Sequence, residues 1–232
     1  MNHGHFVVAK ICNVKVNEFS IGFGKEIWHK QGKETKYAIR LIPLGGFVSM
    51  EGEEERSENS KSFSKASIPK RIAIVSAGAI VNIIFAIIVY FILTLIVGTK
   101  INDSTFMDRI INGGNLTKEF IISIADSLKQ LFTGKVGVDQ MMGPVGISEM
   151  ISKTSGVFEF FEMMSLISLS LGVTNLLPIP ALDGGKILIL IIEAIRRKPM
   201  KQQTEINIQL LGFSILIGLS IYVTYNDILR IL

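Results

Sequence analysis

The sequence is poor in the residues that soluble proteins use for charge, metal binding and cross-linking. Its 232 residues include one cysteine, three histidines and one tryptophan, and 19% are charged, against about 25% in average proteins. A single cysteine, Cys12, cannot form an internal disulfide, which excludes a disulfide scaffold. The formal charge is only +4, which argues against a nucleic-acid-binding domain. Because 48% of the residues are hydrophobic, the composition predicts a membrane protein.

The apolar residues are concentrated in three blocks. The block 72–97 contains no charged residue, and about 20 apolar residues span a bilayer core, so it predicts a transmembrane helix. The block 158–195 reads as a broken transmembrane segment, and 206–225 as a further helix. Basic residues precede the first span and fill the loop 196–205, and the positive-inside rule places both clusters in the cytoplasm. We therefore predict an α-helical multi-pass membrane protein with about three transmembrane helices.

The segments between these blocks are more polar. Residues 1–16 are too short and too polar to span a membrane. Residues 17–50 alternate apolar and polar side chains with interspersed glycines, which predicts β-hairpins, and 51–71 form an acidic, serine-rich loop. In the outer segment 98–157, residues 102–114 resemble a loop, whereas apolar residues at helical spacing in 116–131 predict an amphipathic helix lying on the surface.

Asp183 is the most informative polar residue. It lies in an apolar block shortly after Pro178 and Pro180, and a carboxylate at membrane depth is costly unless it is paired, hydrated or bound to a metal. It is therefore a candidate functional residue. The alternative is that Asp183 lies at the membrane surface and caps a helix that starts at Gly184.

The pair His3 and His5 is a weaker candidate. Residues two apart lie on different sides of a helix and on opposite faces of a strand. A histidine pair that binds a metal from one helix requires the spacing i, i+4. The alternative is that both histidines are solvated and have no function.

Several motifs together resemble the site-2 protease family, the bacterial intramembrane zinc metalloproteases of regulated intramembrane proteolysis. The resemblance extends along nearly the whole chain, and its most specific part is the block 175–185, which ends in Leu-Asp-Gly-Gly. The other motifs are Gly4-His5-Phe6, Phe19–Gly24, Pro43–Val48, Ala77-Gly78, Asn82 and Gly143–Gly146.

The resemblance implies a zinc site inside the membrane. In the family, two histidines of an H-E-x-x-H helix and the aspartate of Leu-Asp-Gly hold the metal, and the glutamate is the general base. The matching ligands here are His5 and Asp183. Substrate, a transmembrane segment of another membrane protein, is expected to bind as an added strand at the β-hairpin region 17–50. The expected substrate-binding residues are Gly45, Gly46, Asn175, Pro178 and Pro180.

The sequence departs from the family at the metal motif. Set in register, Met1 takes the place of the first histidine and Asn2 that of the glutamate. An amide is no base at neutral pH, and Zn²⁺ prefers imidazole, thiolate or carboxylate ligands. We therefore expect zinc binding to be weakened or lost, and no intact catalytic residue.

Other departures concern whole segments. The family's first membrane helix has no counterpart before Met1, so the chain is expected to be an N-terminally truncated or degenerate copy with about three of the family's four membrane helices. The segment 98–157 is too short for the complete PDZ domain that relatives carry, and Lys186 replaces a histidine often found after Leu-Asp-Gly-Gly. Two hypotheses remain for a multi-pass protein in contact with lipid in the bacterial cytoplasmic membrane: an intramembrane zinc metalloprotease, and an inactive relative that binds transmembrane helices.

Overall fold

The computed structural model describes residues 2–53, 55, 57–98, 105–133 and 143–231. They form mostly helices and one small sheet, which confirms the predicted fold class. In chain order the elements are α1 (Asn2–Ile11), β1 (Val16–Gln31), β2 (Lys36–Met50), α2 (Ile68–Gly98), α3 (Phe106–Phe132), α4 (Pro144–Ser152), α5 (Val157–Asn175), α6 (Asp183–Arg196) and α7 (Gln202–Ile231), with a short 3₁₀ helix at Phe63–Lys65.

Three of these helices are long and apolar enough to cross a membrane, as predicted. The candidate spans are Ile68–Ile96, Val157–Asn175 and Gln202–Arg230. Along α2, Ile84, Ile88 and Ile92 are exposed at a spacing of four residues. Such residues share one helix face, which is the face expected toward lipid. The apolar block that contains Asp183 is divided into α5 and α6 by a loop that carries both prolines.

The sheet consists of two long strands that bend. β1 and β2 pair in antiparallel fashion, and residues 18–21 of β1 have partners in both 46–49 and 36–39 of β2. The first part of β1 therefore lies between the two ends of β2. Gly22, Gly24 and Gly45 have positive φ angles, a conformation that glycine adopts without steric cost, and they lie where the strands bend.

The chain divides into two compact units. One contains residues up to Val81 together with Thr174–Gly212, and the other contains Asn82–Val173 together with the chain from Phe213 onward. The hydrophobic core of the first unit joins α1, the strand ends, the 3₁₀ helix and α2. Its buried side chains are Ala9, Val14, Val16, Met50, Phe63, Ile74 and Val75.

In the second unit, α3 is longer than predicted. Residues 106–114 belong to the helix, so the predicted loop is wrong there, while 102–104 lie outside the described residues. A Cβ at Gly113 would lie 2.9 Å from Thr94 Oγ1, and Tyr90 stacks on Phe120 with ring centroids 4.0 Å apart. The glycine permits close packing of α3 on α2 instead of ending the helix.

The motif Gly143–Gly146 begins a helix. Pro144 is the first residue of α4, a position that suits proline. The backbone amides of Gly143 and Gly146 donate hydrogen bonds to Asp227 Oδ2 of α7, at 2.9 and 2.8 Å. The side chain of Asp227 therefore caps α4, and this contact was not predicted because the third span was expected to end at residue 225.

Candidate metal and peptide-binding site

Two glycines bring α1 and α2 unusually close together. A Cβ at Gly4 would lie 2.3 Å from the backbone oxygen of Ala77, and a Cβ at Gly78 would lie 2.1 Å from His5 Nε2. Both distances are far below van der Waals contact. The His5 ring therefore occupies the space that a side chain at position 78 would fill.

The orientation of His5 is determined by a backbone carbonyl. Its Nδ1 lies 2.9 Å from the Ile74 oxygen. Because a carbonyl oxygen can only accept a hydrogen bond, Nδ1 carries the proton and donates it. A hydrogen bond of this kind holds the ring of a metal-binding histidine and leaves Nε2 available as a ligand.

The start of α6 positions Asp183. Asp183 is the first helical residue, and Leu182 is the N-cap and makes no side-chain cap bond, so the alternative that Asp183 caps this helix is wrong. A Cβ at Gly184 would lie 2.2 Å from the Leu177 oxygen, and one at Gly185 would lie 2.3 Å from the Ile179 oxygen. The two glycines therefore let the preceding loop pack directly on the first turn of α6.

His5 and Asp183 face each other in the first unit. His5 Nε2 and Asp183 Oδ2 lie 3.5 Å apart, and Asp183 Oδ2 is buried and has no hydrogen-bond partner among the described residues. A neutral imidazole that donates from Nδ1 turns the lone pair of Nε2 toward this oxygen, so a proton or a metal ion belongs between them. Burial lowers the pKa of His5, but the Asp183 carboxylate, the Ile74 carbonyl and the Glu53 charge together raise it above its ordinary value.

The pair fits half of a zinc site. Two ligands of one tetrahedral zinc lie about 3.3 Å apart when each bond measures about 2.0–2.1 Å, close to the separation of His5 Nε2 and Asp183 Oδ2. Protein zinc sites use at least three protein ligands. Among the described residues, no group of three His, Cys, Asp or Glu side chains could hold a metal. These residues therefore do not complete the expected site; Met1 lies outside the described part of the chain.

A cavity of about 170 Å³ adjoins His5 and Asp183. One of its walls is the end of β2, residues 46–50, which pairs with β1 on one side. No strand among the described residues pairs with the other side. All the lining residues belong to the first unit: Asn2, His5, Gly46, Phe47, Val48, Met50, Glu53, Val75, Asp183 and Lys186.

The structure brings four of the expected site residues to this cavity: Asn2, His5, Gly46 and Asp183. A Cβ at Gly46 would lie 2.2 Å from the Ser20 oxygen and 3.0 Å from Asn2 Nδ2, so the strand end and the start of α1 are in close contact. His3, in contrast, is exposed and packs its ring edge against Phe19.

The other expected substrate-binding residues do not line the cavity. Gly45 bends β2 next to Phe23, and Asn175 is buried at the end of α5. Pro178 lies in the loop before α6. The backbone of Pro180 lies so close to Gly212 that a Cβ there would be 2.4 Å from the Pro180 oxygen.

Sequence reasoning did not identify Gly78 and Glu53 as parts of the site, and it attributed little importance to Lys186. Glu53 lies in a segment that is acidic throughout, so no local signal distinguishes it. Lys186 Nζ donates to Glu53 Oε1 at 2.8 Å. Lys186 follows Asp183 by three residues, so the two side chains are neighbours on one face of the helix. This spacing could have identified Lys186 from the sequence.

Comparisons with known proteins show what this chain is similar to. Residues 3–219 match the family described as Peptidase family M50. A Clostridium acetobutylicum protein assigned by name as a zinc metalloprotease is 29% identical, over 97% of this chain and 92% of its own length. A Helicobacter pylori protein with the same assignment is 26% identical, over 99% of this chain and 95% of its own length. A Streptococcus pyogenes protein, likewise so assigned, is 43% identical over 60% of this chain and 33% of its own.

The alignments also differ in length from this chain. The Clostridium acetobutylicum alignment has 311 positions, whereas this chain has 232 residues. Since the alignment covers 97% of this chain, about 225 residues, about 85 of its positions have no counterpart here. Between residues 98 and 157, the described residues form only the helices α3 and α4.

Proposed function

Because this chain belongs to peptidase family M50, the site-2 protease family, we propose that it binds membrane-spanning segments of other membrane proteins in the cavity beside His5 and Asp183. We further propose that the residues it carries there do not hydrolyse them. The observation that supports binding is the strand end 46–50, which forms a wall of this cavity and whose second edge pairs with no strand among the described residues.

The binding step follows from the chemistry of a sheet edge. An outer strand presents unpaired backbone N–H and C=O groups, and an extended peptide satisfies them by adding a strand. In a bilayer, a helix that unwinds must replace its internal hydrogen bonds. A strand edge inside a polar cavity offers that replacement, and it does so largely independently of the peptide's sequence.

The residues at the base and ligand positions argue against hydrolysis. Peptide hydrolysis on zinc requires a group that takes a proton from the attacking water. Asn2 lines the cavity and, in the register expected from the sequence, takes the place of the family's glutamate; an amide cannot perform this role. His5 and Asp183 alone supply two ligands, one fewer than the catalytic zinc sites of proteins use.

A second candidate function is proteolysis of the bound segment by a zinc-dependent reaction. The observation that favours it is the facing pair His5 and Asp183. Their separation suits a shared metal ion, and the buried Asp183 Oδ2 lacks a partner among the described residues.

In either case we propose that the protein lies in the bacterial cytoplasmic membrane with its basic loops on the cytoplasmic side. We expect lipid contact along the three spans.

Disulfide cross-linking tests the proposed binding site. Phe47→Cys and Trp28→Cys are made in a Cys12→Ser background and mixed with a membrane-spanning test peptide that carries one central cysteine. Phe47 lies on the cavity-lining strand end, whereas Trp28 lies on the other outer strand of the sheet. We expect Phe47→Cys to form most of the mixed disulfide, and mass spectrometry to detect only intact peptide.

The outcomes separate the hypotheses. Equal cross-linking at both strands, or none at Phe47→Cys, contradicts binding at the cavity. Peptide fragments that disappear in the Asp183→Asn variant would establish the second candidate function instead.

A further inference from the structure

The cavity contains a positive charge of its own, the Lys186 ammonium. Lys186 Nζ lies 2.8 Å from Glu53 Oε1, with side chains about 32% and 18% exposed. Three carboxylates, those of Glu53, Asp183 and Glu205, act electrostatically on this ammonium. The ion pair joins α6 to the segment after β2, and both of its members line the cavity.

This arrangement differs from what a metal site requires. A zinc ion between His5 and Asp183 would add two positive charges to a cavity that already contains an ammonium, and like charges repel each other. In addition, Glu53 is the only further carboxylate among the described residues that line the cavity. Its ion pair with Lys186 competes with any metal for this carboxylate, which would have to supply a third ligand.

We propose that Lys186 takes the electrostatic role that a metal ion would have beside His5 and Asp183: it neutralises Asp183 and Glu53, and its ion pair with Glu53 competes with metal ligation, so that the chain binds zinc only weakly. The cavity is thereby stable without metal, in contrast to an empty zinc site, in which unpaired carboxylates would repel one another. The proposal concerns the site of the proposed function, but its test measures metal affinity and does not depend on peptide binding.

Zinc affinity of the purified full chain, measured by competition with a chromophoric chelator, tests this proposal. Only zinc binding that Asp183→Asn abolishes is counted, because exposed histidines also bind zinc. We expect Lys186→Met to bind zinc at least about tenfold more tightly than the natural chain, and Lys186→Arg, which keeps the charge, to remain weak. Lys15→Met is the matched control, because Lys15 pairs with Glu51 at 3.4 Å outside the cavity, and it should leave the affinity unchanged.

A double variant separates charge from ligation and avoids an unpaired glutamate. Lys186→Met with Glu53→Gln should bind zinc more tightly than Glu53→Gln alone, because the repulsion is gone. It should bind less tightly than Lys186→Met alone, because the third carboxylate is also gone. Should Lys186→Met fail to fold, the comparison of this double variant with Glu53→Gln decides the question. The proposal is overturned if the zinc affinity of Lys186→Met lies within twofold of that of the natural chain, or if the zinc affinity of the double variant lies within twofold of that of Glu53→Gln.

Discussion

The absence of a side chain at Gly78 determines where the His5 imidazole can lie. A Cβ at this position would lie 2.1 Å from His5 Nε2, and overpacking of this kind costs about 1–3 kcal/mol. We therefore expect Gly78→Ala to lower the thermal unfolding midpoint of the detergent-solubilised protein. A decrease in the unfolding midpoint is informative, because replacing glycine by alanine inside a helix otherwise stabilises it by up to about 1 kcal/mol.

Gly218→Ala is the matched control for Gly78→Ala. Gly218 lies within α7, and a Cβ there would have no neighbouring atom within 4 Å, so this variant should be neutral or stabilising. If both variants change the unfolding midpoint equally, the close contact of His5 with α2 does not exist as described.

The sequence motif indicated His5 and Asp183 but not the residues that orient them. Both residues are recognisable because each lies in a sequence motif that resembles the family's. Ile74 acts through its backbone carbonyl, which any residue provides, so no residue type there could have indicated it. The Lys186–Glu53 pair joins positions 133 residues apart, and neither residue is unusual in its own segment.

The N-terminus of α4 depends on one carboxylate from another helix. Asp227 is 2% exposed, and its Oδ2 accepts hydrogen bonds from two backbone amides of the α4 N-terminus, where the helix dipole also favours a negative charge. We expect Asp227→Ala to destabilise the second unit by about 1–3 kcal/mol. Hydrogen exchange should become faster at the α4 amides, which makes mass spectrometry the appropriate measurement.

Two further variants make the test of this cap specific. Asp227→Asn keeps an accepting oxygen and should have a smaller effect than Asp227→Ala, whereas Asp126→Ala, at an exposed position of α3, should leave α4 exchange unchanged. Unchanged exchange in Asp227→Ala would show that α4 does not depend on this contact.

The elements that were predicted incorrectly share one physical cause. Gly113 and Gly114 suggested a loop, yet Gly113 lies inside α3 because it permits contact with Thr94 of α2. Gly143 and Gly146 likewise serve packing at the start of α4, where they make room for Asp227, since a Cβ at either position would lie within 2.9 Å of its carboxylate. Glycine that serves helix packing has the same sequence signal as glycine that breaks a helix.

At the scale of the whole molecule, the three spans and the sheet region could be predicted because long apolar blocks and the alternation of apolar and polar residues are local signals.

The first unit also contains a long-range contact that agrees with the predicted orientation in the membrane, in which both basic clusters lie on one side. Arg71 Nη1 donates to Glu193 Oε2 at 2.9 Å, with side chains about 13% and 4% exposed. The start of α2 and the end of α6, which carry the two basic clusters, therefore lie close together.

The central claim is that His5 and Asp183 are the remaining half of a zinc site. The most direct test is zinc affinity after Met1→His, made with an initiator methionine placed before it, which restores the i, i+4 pair with His5. We predict at least about a tenfold gain, a free-energy change of about 1.4 kcal/mol, that is lost when His5→Ala or Asp183→Asn is added. A gain that persists in those variants, or no gain at all, would contradict the account.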